Sequence, residues 1–133
     1  GHPGEGRVSL MLHTFVGDSD EQVRELVREP MTAYLRTSVG LIKQYAGVFP
    51  TLRQRPGSDG KDLDFASLTR EEMDALLDFS FERYYSTSAL FGTVDSAAAM
   101  VDRVRAIGVD ELACLVDFGL DTDTVLAHLP HLD

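Results

Sequence analysis

Two patterns of apolar residues alternate along the chain, and the alternation sets the expected fold. In the first pattern the apolar residues are nearly continuous. Leu112 to Val116 is an unbroken apolar run, followed by Asp117, Phe118 and Gly119. A short run of this kind near glycines predicts a strand covered on both faces, as in a parallel sheet. Val8 to Val16, before Gly17, predicts a second buried strand, and Ser88 to Gly92 a very short third. In the second pattern the apolar residues recur every three or four positions. Ser19 and Gln22 form a capping box ahead of Val23, Leu26 and Val27. Pro30 is expected to interrupt or restart that helix, with Met31, Tyr34, Leu35, Val39 and Ile42 carrying a second helical face. Thr69 and Glu72 form another capping box, and Met73, Leu76, Leu77, Phe81 and Tyr84 predict a helix from about Arg70 to Ser86. Behind a Thr93 cap, Ala97, Met100, Val101, Val104 and Ile107 make one apolar face, closed by Gly108 as a C′ glycine. A short helix from about Asp121 to Leu129 is stopped by Pro130.

Strands alternating with helices imply an α/β fold: about three parallel strands joined by crossover helices. Residues 1–133 are read as a single domain or fragment. Three strands cannot close a barrel, and a complete (β/α)₈ barrel takes roughly 250 residues. The stretch Gly47 to Ser67 has no clean period and holds Pro50, Pro56, Gly57 and Gly60. It is expected to be a long, mobile loop, with Arg53, Arg55 and Lys61 either simply solvated or part of a lid.

Charge narrows the partners. The 22 acidic and 12 basic residues give a formal net charge of -10, which argues against nucleic acid and anionic membrane surfaces as partners. No apolar stretch approaches the ~20 residues that span a bilayer. The single cysteine, Cys114, lies inside an apolar run and is expected to be a buried, inert thiol in a reducing compartment. The N-terminal residues have no signal-peptide character and no starting Met, so the expectation is a cytoplasmic protein cut from a longer frame.

Candidate chemistry gathers where strands end. His13 and Thr14, Gly92 and Thr93, and Asp117 would share one rim of a parallel sheet. There His13 and Asp117 could do acid–base work, although a core histidine and a loop carboxylate are the plainer alternatives. Thr93 at a helix start could hold a phosphate through backbone N–H groups or act as a simple N-cap. Arg83 and Tyr84 could bind a carboxylate or phosphate, unless Arg83 pairs on the surface with Glu82 or Glu29. His128 and His131 are three apart, but Pro130 between them breaks the helical geometry a zinc pair needs.

The segments His13–Gly17, Arg28–Pro30, Ala33–Arg36, Phe81–Tyr84, Leu90–Thr93 and Gly108–Gly119, in this order, resemble the C-terminal part of luciferase-like monooxygenases of nonribosomal peptide and polyketide synthases. The resemblance runs through nearly the whole chain, and the last block is its most specific part. It implies a partial (β/α)₈ TIM barrel, with the three strands roughly the sixth to eighth. It also implies a parent enzyme in secondary-metabolite biosynthesis that uses reduced FMN and oxygen to oxidise a small-molecule or carrier-tethered substrate. Much of the flavin and substrate pocket would come from strands before these, so only the strand-end candidates carry over: His13 and Asp117 as expected catalytic positions, Gly92 and Thr93 as cofactor contacts, and Thr14, Arg83 and Tyr84 as substrate contacts. The barrel strands before these would be missing, so the isolated chain is expected to be nearly inactive, to bind no FMN tightly, and to form homo-oligomers through exposed strand edges. The alternative expectation is a non-catalytic docking module of a synthase.

Overall fold

A computed structural model of the chain describes Gly4 and residues 6–38 and 68–133. The expected loop at 47–67, with its three basic residues, and the apolar positions Val39 and Ile42 lie outside the described residues. Among the described residues the elements are strand β1 (Ser9–Val16), helix α1 (Asp20–Thr37), helix α2 (Arg70–Thr87), strand β2 (Leu90–Gly92), helix α3 (Val94–Ala106), strand β3 (Glu111–Leu115) and helix α4 (Thr122–His128). A 3-10 turn, Leu129–Leu132, follows α4. The chain is thus α/β with a three-stranded parallel sheet. No described helix is long and apolar enough to cross a membrane.

The helix starts form as their cap residues dictate. Ser19 Oγ accepts from Gln22 N–H, and Thr69 and Glu72 make a reciprocal capping box. Asp121 caps α4 through Thr124. Pro30, however, neither interrupts nor restarts α1, which is continuous through it. Val27, Met31 and Leu35 on either side are fully buried, and that packing outweighs the lost backbone hydrogen bond.

The sheet order is β2-β1-β3, with β1 parallel to both neighbours. The neighbours meet different parts of it. Thr14, Phe15 and Val16 pair with Leu90, Phe91 and Gly92, whereas Ser9 to His13 pair with Glu111 to Leu115. Three successive barrel strands would pair in chain order. Here β3 pairs with β1 instead of β2, so the expected sixth-to-eighth succession is not the one observed.

Two right-handed crossovers running in opposite directions put their helices on opposite faces of a sheet, and two separate cores occupy those faces. On one face Phe15 and Phe91 pack under α1 and α2, against Val23, Met31, Leu77 and Phe81. On the other, Leu12 and Leu90 pack under α3, against Met100 and Val104. Alternation along β1 places His13 on the Phe15 face and Thr14 on the Leu12 face.

β3 differs from the strand its apolar run predicts. The pattern implies burial on both faces, yet Glu111, Ala113 and Cys114 are exposed, and Leu112 and Leu115 only half-buried. Cys114 is an exposed free thiol, not a buried one. The cause is position: β3 is an edge strand, and the helices lie mainly over β1 and β2. Met11, whose register partner is Ala113, is 65% exposed although it sits on the central strand. The amino-terminal half of the His13 face is therefore bare.

Candidate functional site

The carboxyl-terminal half of β1 carries the most unusual environment in the described chain. His13 is buried at 6% exposure. Its Nδ1 lies 2.6 Å from the hydroxyl of Tyr84, the residue on α2 that the helix turns inward. Three aromatic rings stand edge-on around the imidazole: Tyr34 at 4.6 Å, Phe118 at 5.5 Å and Tyr84 at 5.7 Å. Nε2 is buried with no hydrogen-bond partner among the described residues. Burial lowers the pKa of His13 from its ordinary 6.5, so the ring is neutral at pH 7. A neutral imidazole with one nitrogen anchored and the other bare can give or take one proton at Nε2.

The remaining expected site residues spread around this centre. Thr14 is buried on the opposite face, and its hydroxyl donates to the Leu12 carbonyl at 2.9 Å. Arg83 is exposed, one position before Tyr84 and turned away from it by the helix. Asp117 is exposed beyond the end of β3, two residues past Leu115, the register partner of His13. Among the described residues no hydrogen bond joins Asp117 to His13. Tyr84 is therefore the one expected site residue brought against His13.

Gly92 and Thr93 lead into α3 as expected, and Gly92 has a positive φ of 124°. The anion position there is filled from within the chain. Asp20 Oδ1 accepts from Thr93 N–H at 3.2 Å, and both its carboxylate oxygens accept from Ser96 Oγ at 3.0 and 3.1 Å. A Cβ on Gly92 would collide with that carboxylate. Sequence pattern does not single out Asp20, because only the pairing of β1 with β2 brings residues 20 and 93 together. A phosphate at the start of α3 would have to displace Asp20.

In front of the His13 cluster, α1 and the loop after β3 border an open groove of about 690 Å³. Tyr34 and Phe118, which touch the His13 ring, line it, together with Leu26, Glu29, Pro30 and Asp121 among others. Gly119 has φ 108°, and a Cβ there would come within 3.3 Å of Pro30 Cβ, so glycine sets how closely the loop approaches α1. At the other end of the loop, α4 packs back over β1, with the His128 ring 4.5 Å from Phe15. Among the described residues no group of three or more His, Cys, Asp or Glu side chains could hold a metal ion. No protein-family model matches the chain, and no curated protein matches it.

Proposed function

We propose that this chain is the C-terminal portion of a luciferase-like, FMN-dependent monooxygenase of secondary-metabolite biosynthesis, a cytoplasmic enzyme acting on a small-molecule or carrier-tethered substrate. The observation that carries the reading is the His13 face of the β1–β3 pair. Its carboxyl-terminal half holds a neutral, aromatic-ringed histidine. Its amino-terminal half leaves Met11 and Ala113 bare. In a (β/α)₈ barrel the inner face is apolar along the wall, and its chemistry stands at the carboxyl ends of the strands.

On this reading β1 and β3 are neighbouring barrel strands, the face under α3 is the outer wall, and α1 and α2, which pack over the carboxyl-terminal half of the His13 face, would fill the mouth of the barrel. β2, three residues long, is a short strand set beside the carboxyl end of β1. The bare inner face and the free edge of β3 are the surfaces that further barrel strands would cover. His13 would face the reaction space from its strand, oriented by Tyr84 and shielded from water by Tyr34 and Phe118. Because Asp20 fills the anion position at the start of α3, the phosphate of FMN would be held by groups other than that helix start.

The test is a titration of reduced FMN under anaerobic conditions against both the protein encoded by the full reading frame and the 133-residue chain. The expected result is saturable binding by the former, weakened in His13→Ala, and no tight binding by the latter. A full-length protein that neither binds flavin nor consumes oxygen with reduced FMN sinks the proposal.

A further inference from the structure

We infer that the groove between α1 and the loop after β3 binds a small organic cation, an ammonium group carried on an aryl or short alkyl body. At about 690 Å³ it lies in the size range of small-ligand sites. Its floor and walls are apolar: Leu26, Pro30, Ala33, Phe118 and Leu120, with the Tyr34 ring beside them. An aromatic or aliphatic body fits such a surface.

The charged groups on the groove are both acceptors, and the hydroxyls of Thr37 and Thr124 donate within the chain, to Tyr34 O and Asp121 Oδ2. Glu29 and Asp121 bring two carboxylates to the rim, and no Lys or Arg among the described residues lines the groove. Among the described residues neither carboxylate forms an ion pair with a basic side chain. Asp121 is held in a fixed orientation, with Oδ1 accepting from Thr124 N–H at 2.9 Å and Oδ2 from Thr124 Oγ1 at 2.6 Å. The backbone adds a third acceptor. Pro30 lies inside α1 and has no N–H, so the carbonyl of Leu26, one turn earlier, is left without its helical donor. Leu26 and Pro30 both line the groove. Tyr34 and Phe118 also line the groove, and a cation that meets the face of either ring is attracted by its quadrupole. An anionic ligand would meet two carboxylates and, among the described residues, no counter-charge, whereas an ammonium finds acceptors and apolar contact together.

This inference is independent of the flavin reading, and its test contains no flavin. Phenethylammonium and its anionic counterpart 3-phenylpropanoate are titrated separately into the 133-residue chain at low ionic strength, with binding followed by saturation-transfer NMR of the ligand. The ammonium probe is expected to bind about tenfold or more tightly than the carboxylate. Glu29→Gln, a change at an exposed position, is expected to weaken the ammonium probe by about two- to fivefold while leaving the unfolding midpoint in place. Pro30→Ala returns an N–H to the Leu26 carbonyl, and is expected to weaken binding while raising the unfolding midpoint. That opposition separates a lost acceptor from general damage to the fold. Equal affinity for the two probes, no saturable ammonium binding, or unchanged affinity in both variants overturns the inference.

Discussion

At the scale of single residues, His13 combines burial, one short hydrogen bond and one bare nitrogen. Its folded pKa is depressed below the ordinary 6.5 because the charged form is desolvated. The unfolded chain therefore accepts a proton near pH 6.5 that the folded chain refuses. The contribution of His13 to stability is intact above 6.5 and is lost as pH falls from there through the folded value. One such group changes stability by at most about 1.4 kcal/mol per pH unit. His13→Phe is expected to flatten the fall in stability between pH 6.5 and 5 relative to the unaltered chain, as read from urea unfolding at several pH values. Parallel pH profiles in the two proteins would refute this. In the sequence His13 is legible as a strand-end histidine, and Tyr84 as a residue of interest. Their direct contact is not, since it depends on how α2 packs against β1, across a separation of 71 positions.

At the scale of elements, local rules serve well where a single segment decides its own form. The caps at Ser19, Thr69 and Thr93 and the glycine after α3 all lie where the residue chemistry puts them. They mislead where a neighbour decides. Leu112 to Val116 has the same apolar pattern whether it ends in the middle of a sheet or at its edge, so its exposure is not readable from the run itself. Pro30 alone predicts a break in α1, but the burial of Val27, Met31 and Leu35 holds the helix through it. The clasp between α1 and α3 is another long-range feature. Asp20 Oδ1 and Oδ2 tie the first residue of α1 to Thr93 and Ser96 at the start of α3. Asp20→Ala removes the acceptor for a helix-start N–H and for a hydroxyl, and is expected to cost about 1–2 kcal/mol. Asp20→Asn keeps an oxygen in place, and about half of that loss is expected. Equilibrium urea unfolding of the two variants checks the order, and an unchanged midpoint in Asp20→Ala would show that the clasp adds nothing.

At the scale of the whole molecule, an open sheet meets a strongly acidic surface. Among the described residues no strand pairs with the outer edge of β3, which runs beside the exposed Ala113 and Cys114, with Met11 adjacent. Such an edge is a template for pairing with another chain. The net charge of -10 opposes that encounter between like copies. Self-association of the isolated chain is therefore expected to be weak at low ionic strength and to grow as salt screens the repulsion, over a Debye length that falls to about 10 Å at 0.1 M. Sedimentation velocity across a salt series measures this, with Ala113→Lys expected to keep the chain monomeric. A monomer at every salt concentration would count against edge pairing. The coarse architecture, α/β with parallel strands, is readable from periodicity alone. The order β2-β1-β3 is not, because spacing along a chain carries no information about which side of a strand the next one joins.

The division of β1 between its two partners has a consequence for how the molecule opens. β3 pairs with Ser9 to His13 and β2 with Thr14 to Val16, so among the described strands no residue of β1 is flanked on both sides. The sheet is two ribbons joined end to end through one strand, and the core under α3 spans both, taking Leu12 from one and Leu90 from the other. The β3 ribbon is bare at Met11 and Ala113 and carries the exposed edge, so its amides should exchange with solvent through partial openings that leave the rest intact. The amides of Thr14 to Val16, under the α1–α2 core, should exchange only when the whole chain unfolds. His13 is the hinge between these two cooperative units: its backbone belongs to the looser ribbon, while its side chain is fastened to the tighter one.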